Sequence, residues 1–80
     1  MEFEMKYDVG DMVYIMSNDE QPFVERGRIE DVYCSKNIDN EVYKAYTILT
    51  DNGTAYRNEK NVFSSFLECE KEMTNKINEK

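Results

Sequence analysis

Six tyrosines and four phenylalanines stand beside seventeen carboxylates in a chain that contains no histidine. Without imidazole there is no ordinary general base poised near neutrality and no nitrogen ligand for a metal. The two thiols, Cys34 and Cys69, match neither a metal-binding spacing nor a dense disulfide framework. A nucleophilic thiol needs an activating neighbour, and neither cysteine has one adjacent, so free, partly buried thiols are expected. The acid pairs Asp19-Glu20 and Glu30-Asp31 have the right atoms for a hard cation. Adjacent acids on a strand point to opposite faces, however, and neither pair belongs to an EF-hand-like loop; solvated surface charge is the better reading. Gly10, Gly27 and Gly53 are too scattered to cradle a phosphate. No catalysis, metal or cofactor is expected.

Binding is what remains, and tyrosine is its most informative residue. Tyr7, Tyr14, Tyr33, Tyr43, Tyr46 and Tyr56 are more than one small core can bury. Strand alternation over Val42–Leu49 puts Tyr46 and Ile48 on one face and Tyr43, Ala45 and Leu49 on the other. Tyrosine beside carboxylate suits the capture of a partner's Lys or Arg through cation–π and ionic contacts. The expected contact set is Tyr14, Tyr43, Tyr46 and Tyr56 with Asp19, Glu20, Glu30 and Asp31. The plainer alternative is solvent-facing tyrosine on a half-buried strand.

The charge distribution bears on the partner. Net charge is -7, and residues 1–31 hold nine acids against three bases. Such a field disfavours direct nucleic-acid binding, which draws its affinity from Lys and Arg on phosphate, and it favours basic protein surfaces. A second reading makes Asp8, Asp11, Asp19, Glu20, Glu25, Glu30 and Asp31 a mimic of nucleic-acid phosphate that occupies a nucleic-acid-handling protein. A third, a nucleic-acid-binding surface built on Arg26, Arg28, Lys44 and Arg57, runs against the net charge. The plainer reading is that the charge only keeps the chain soluble.

The elements that must position these groups are legible in outline. Eighty residues, 40% hydrophobic with a mean hydropathy of -0.80, make a single domain spanning residues 1–80 with one modest core. Uncharged, largely apolar runs such as Met12–Met16 fall far short of the ~20 residues of a membrane helix. The acidic opening Met1-Glu2-Phe3-Glu4 has no apolar signal-peptide stretch, so a cytoplasmic, reducing location is expected. Strands are expected over Met12–Met16, Phe23–Cys34, Glu41–Thr50 and Thr54–Arg57. Gly27 is expected to mark a bulge or bend, and Asp51-Asn52-Gly53 a type I′ hairpin. Ser65-Phe66-Leu67-Glu68 reads as a capping box. The helix that follows, over about 64–78, would bury Phe63, Phe66, Leu67, Met73 and Ile77, with Cys69 at the margin and Glu70 in the stripe. Met73 and Ile77 also offer a route to a homodimer.

Tyr7-Asp8-Val9-Gly10-Asp11-Met12-Val13-Tyr14, then Gly27-Arg28-Ile29, then Tyr46-Thr47-Ile48 and the Asn52-Gly53 turn resemble SH3-like small barrels of phage, plasmid and bacterial proteins. The resemblance covers residues 7–63 and implies a mainly β fold, a barrel of four to five strands, with the C-terminal helix closing one end. It does not extend to functional subfamilies. Val32-Tyr33-Cys34-Ser35 is similar to a segment of plasmid-type dihydrofolate reductases, but Thr54-Ala55-Tyr56-Arg57 stands where those enzymes have their pore strand. The polyproline-gripping Trp of signalling SH3 domains is also missing. The implied function is therefore a protein-binding module without catalysis.

Overall fold

The computed structural model describes the backbone of residues 4–78 and the side chains of residues 4–75. Four antiparallel strands, β1 (Met12–Met16), β2 (Val24–Lys36), β3 (Val42–Thr50) and β4 (Gly53–Asn58), form one sheet in sequence order. A 3-10 turn at Glu59–Asn61 leads into the helix α1 (Phe66–Asn78). The chain is thus mainly β with one C-terminal helix. Among the described residues no strand ladder joins β4 to β1, so the sheet is open.

What bends the sheet is β2. Its first part, Val24–Arg28, pairs with β1, while Gly27–Lys36 pairs with β3, so the strand passes from one partner to the other near its middle. The register slips between Ile29 and Asp31, which makes Glu30 the extra residue of a bulge. The bulge therefore lies three residues beyond the glycine expected to mark it. Gly27 serves close approach: a Cβ there would lie 2.5 Å from Ile48 Cγ2 and 2.8 Å from the Leu49 carbonyl oxygen. The β3–β4 turn also departs from expectation. Positive φ falls on Gly53 (117°) and not on Asn52, so Asp51 and Asn52 take the corner and Gly53 already pairs with Thr50. That is a turn whose left-handed residue follows the corner, not a type I′ turn.

Inward-facing positions of the strands build the core: Val13 and Ile15 from β1, Ile29 from β2, and Tyr46 and Ile48 from β3. Tyr7 and Val62, from opposite ends of the chain, complete it. Phe63 lies on the other edge of β1, where its amide donates to the Tyr14 carbonyl (2.9 Å) and the Tyr14 amide donates to its carbonyl (2.8 Å).

The helix starts where the capping box placed it, with the Glu68 amide donating to Ser65 Oγ at 3.2 Å. Its buried face matches the expected one only in part, with Phe63 and Met73 half-buried. Cys69 is fully buried, whereas Phe66 and Leu67 are 50% and 59% exposed and Glu70 is exposed. The cause is what the helix packs on. It rests against β1 and β2 from the side of Tyr14 and Met16, and Cys69 lies outside the core cluster. The helix thus lies over the Tyr14 side of β1. A small cysteine lets it sit close, with the Phe66 ring edge-on to Tyr14 at 6.1 Å. The Ile77 side chain, the far end of the expected stripe, lies outside the described residues.

Candidate functional site

The β2–β3–β4 register assembles a row of tyrosines on the outer face of the sheet. Tyr33 pairs with Ala45, Tyr56 with Thr47, and Tyr43 with Ser35, and strand alternation puts all three rings on one side. They are 43%, 52% and 46% exposed for Tyr33, Tyr56 and Tyr43. Tyr33 and Tyr56 stack at a tilt with centroids 5.6 Å apart, and the Tyr33 hydroxyl accepts from Thr47 Oγ1 at 3.1 Å. A hydrogen bond with the Tyr43 hydroxyl, then burial and the charges of Tyr43 and Tyr33, hold the Tyr56 phenol above its ordinary pKa. Ala45, on the same face between these rings, is fully buried. Asn58 follows Tyr56 by two residues, and its Oδ1 is buried with no donor in reach.

The expected contact residues divide. Tyr43 and Tyr56 lie in this row, and Asp31, paired with Thr47, shares their face. Glu30 is exposed on the bulge beside them. Asp19 and Glu20 lie in the loop between β1 and β2 and line a groove together with Tyr56. That loop is closed at its base, where Ser17 N–H donates to the Phe23 carbonyl (2.9 Å) and Phe23 N–H donates to Ser17 Oγ (3.0 Å).

Two expected residues are elsewhere. Tyr46 is fully buried and belongs to the core, because its face of β3 is the one that turns inward. Its hydroxyl donates to Glu59 Oε2 at 2.6 Å and accepts from the Tyr7 amide at 3.2 Å. Burial, then the hydrogen bond to Glu59, push its phenol up to about 12. Burial alone would raise the Glu59 carboxyl, but the Tyr46 hydroxyl, the Lys6 amide and the charges of Lys44 and Lys6 outweigh it and hold the group below its ordinary pKa. Tyr14, half-buried, seats the helix through Phe66. Tyr33 was missing from the expected set. Its signal lies in the register, because the turn at Asp51-Asn52 sets Tyr56 opposite Thr47 and the bulge brings Tyr33 to the same side.

The acids expected to act as a phosphate mimic are spread over the segment before β1, the β1–β2 loop and β2. Asp8 and Asp11 are occupied locally, Asp8 Oδ1 accepting from the Val9 amide at 2.8 Å and Asp11 Oδ2 from the Asp8 amide at 2.9 Å. Glu25 accepts from Asn52 Nδ2 at 2.6 Å on the far side of the β3–β4 turn. The cations also separate: Arg26 and Arg28 share the outer face of β2, Lys44 donates to the Glu4 carbonyl, and Arg57 bridges to β1. Both thiols are free, Cys34 exposed and Cys69 buried, with burial pushing the Cys69 thiol up to about 11. Among the described residues no three potential metal ligands come together.

Fold and site together define a bent antiparallel sheet, one helix on its outer face, and an aromatic surface beside it. No family model, curated protein or solved structure matches the chain. Among the described residues no helix is long and apolar enough to cross a membrane.

Proposed function

We propose that this chain is a small SH3-like protein-binding module without catalytic activity, whose contact surface is the row Tyr33–Tyr43–Tyr56 with Asp31 at its side. The observation that carries the reading is the row itself: three large rings on one face of the sheet, each over two-fifths exposed, two of them packed against each other. Rigid aromatic side chains of this kind supply contact area at low entropic cost and dominate the energetics of many interfaces. The adjacent carboxylates favour a partner that presents Lys or Arg. The barrel part of the reading draws on the 3-10 turn after β4 and on the Tyr14–Phe63 bridge, which brings the chain back to the free edge of β1.

The test is capture from a nuclease-treated bacterial lysate by the wild-type chain and by Tyr33→Ala, Tyr43→Ala and Tyr56→Ala, each checked for an unchanged circular dichroism spectrum. A protein retained by wild type and lost from at least two variants is the expected result. Equal retention by all three folded variants overturns the surface assignment. The same capture in rising salt separates this reading from phosphate mimicry, which predicts release at modest salt and competition by DNA.

A further inference from the structure

The tyrosine row ends at β4, and β4 is an edge. Among the described residues its strand ladder is with β3 alone, and its residues line an open trench. Five consecutive residues, Gly53 to Arg57, line that trench. Successive residues of a strand point to opposite faces, so a groove that touches five in a row follows the length of the strand, and Thr50 and Glu25 line it as well. The opposite wall is the β1–β2 loop, with Asn18, Asp19 and Glu20, and Glu25 lies beside the turn. At one end Arg57 spans the gap, its guanidinium donating to the Met16 carbonyl at 3.0 Å and to the Tyr56 carbonyl at 2.9 Å.

An edge strand facing a groove is a template for a further strand. Its occupant is set by charge. Three carboxylates, Asp19, Glu20 and Glu25, border the trench, against one described cation, Arg57, which is already committed to two carbonyls. A second copy of this chain would bring the same acids to the same edge. A segment with Lys or Arg at alternate positions would pair its backbone with β4 and send its cations to the loop wall and over the exposed Tyr56 ring. We infer that the Gly53–Tyr56 edge of β4 is a docking site for an extended, Lys/Arg-bearing segment of a partner protein, added as a fifth strand. This inference rests on the protein-binding reading above and names the chemistry of the partner.

The test is a heteronuclear NMR titration of the full chain with the acetylated, amidated hexapeptide Lys-Val-Lys-Val-Lys-Val. Two control peptides accompany it, the Glu-Val equivalent and the Lys-Val repeat N-methylated at every second residue, made in both registers. The expected result is shifts and slowed amide exchange along Gly53–Tyr56 and at Asn18–Glu20, with the Glu-Val peptide and at least one N-methylated register inactive. The double variant Asp19→Asn/Glu20→Gln, in an exposed loop, should weaken the complex roughly five- to tenfold. Binding that both N-methylated registers retain, or no binding at millimolar peptide, overturns strand addition. Shifts confined to Tyr33 and Tyr43 overturn it too, but leave the aromatic surface standing. Loss of partner capture from the Tyr33 and Tyr43 variants tests that surface separately.

Discussion

The Tyr46 hydroxyl lies 2.6 Å from Glu59 Oε2 and also accepts from the Tyr7 amide, while the Lys6 amide donates to the same Glu59 oxygen at 3.1 Å. Two side chains thereby join three parts of the chain: the segment before β1, the middle of β3 and the 3-10 turn after β4. The Tyr7 hydroxyl returns the link by donating to the Val62 carbonyl at 3.3 Å. A residue that looks from the sequence like a contact tyrosine is the centre of the network that ties the segment before β1 and the turn after β4 to the sheet.

Tyr46→Phe keeps the ring but leaves the Tyr7 amide without its acceptor and Glu59 without its hydroxyl donor. The expected cost is about 1–3 kcal/mol in a urea melt. Tyr46→Ala removes a fully buried ring and should cost about 3–5 kcal/mol. A Tyr46→Phe protein as stable as wild type would show that the hydroxyl contributes nothing.

Stability should fall at both ends of the pH range through this pair. The Glu59 carboxyl sits below its unfolded pKa, so its contribution is present above that value and is lost as pH falls through the folded pKa. The Tyr46 phenol is raised from 10.0 to about 12, so stability declines as pH rises between those values. Glu59→Gln should flatten the acid limb of a stability–pH curve and shrink the alkaline limb, which the burial of Tyr46 alone then sustains. An unchanged acid limb in Glu59→Gln would locate the sensitivity in other carboxylates.

Gly27→Ala places a methyl against Ile48 Cγ2 and the Leu49 carbonyl at distances no carbon tolerates. Backbone cannot yield there without parting β2 from β3, so a loss of about 1–3 kcal/mol is expected. Gly53→Ala acts differently, since the site is open and the penalty is the φ of 117° alone, about 1 kcal/mol. Chemical denaturation of both variants checks the order.

The two thiols should separate cleanly under a disulfide reagent. Cys34 is exposed and should react at once in the folded protein, whereas Cys69 is buried and its thiol is raised to about 11. One equivalent of fast modification, mapped to Cys34 by mass spectrometry, with the second appearing only on unfolding, is the expected pattern. Fast reaction at Cys69 would show that the helix lifts from β1.

The strands were legible because β-branched and aromatic runs between polar loops state them directly, and Met12–Met16 has the bounds expected of it. The capping serine is a local device and was equally readable. What alternation could not supply was which side of the sheet is inside. Tyr43 and Tyr46 have the same chemistry, and it is the packing of Val13, Ile15, Ile29, Tyr7 and Val62 against one side of β3 that makes the Tyr46 side the interior. The helix face was misread for a related reason. The apolar stripe through Phe66 and Leu67 is the stronger signal, yet close approach to β1 selects the smaller Cys69. The Tyr33–Tyr56 contact depends on a one-residue bulge at Glu30, which leaves no mark in residue type.

The bridge between Tyr14 and Phe63 also orders events in time. The β2–β3 and β3–β4 hairpins close over short stretches of chain and can zip early, whereas the bridge must bring together two segments separated by most of the sequence. Residues that fasten the ends, Tyr7, Val62 and Cys69 among them, then belong to the last steps of folding and the first of unfolding. Substitutions there should speed unfolding and leave the refolding rate almost unchanged, whereas substitutions at the β2–β3 seam, such as at Ile48, should slow refolding.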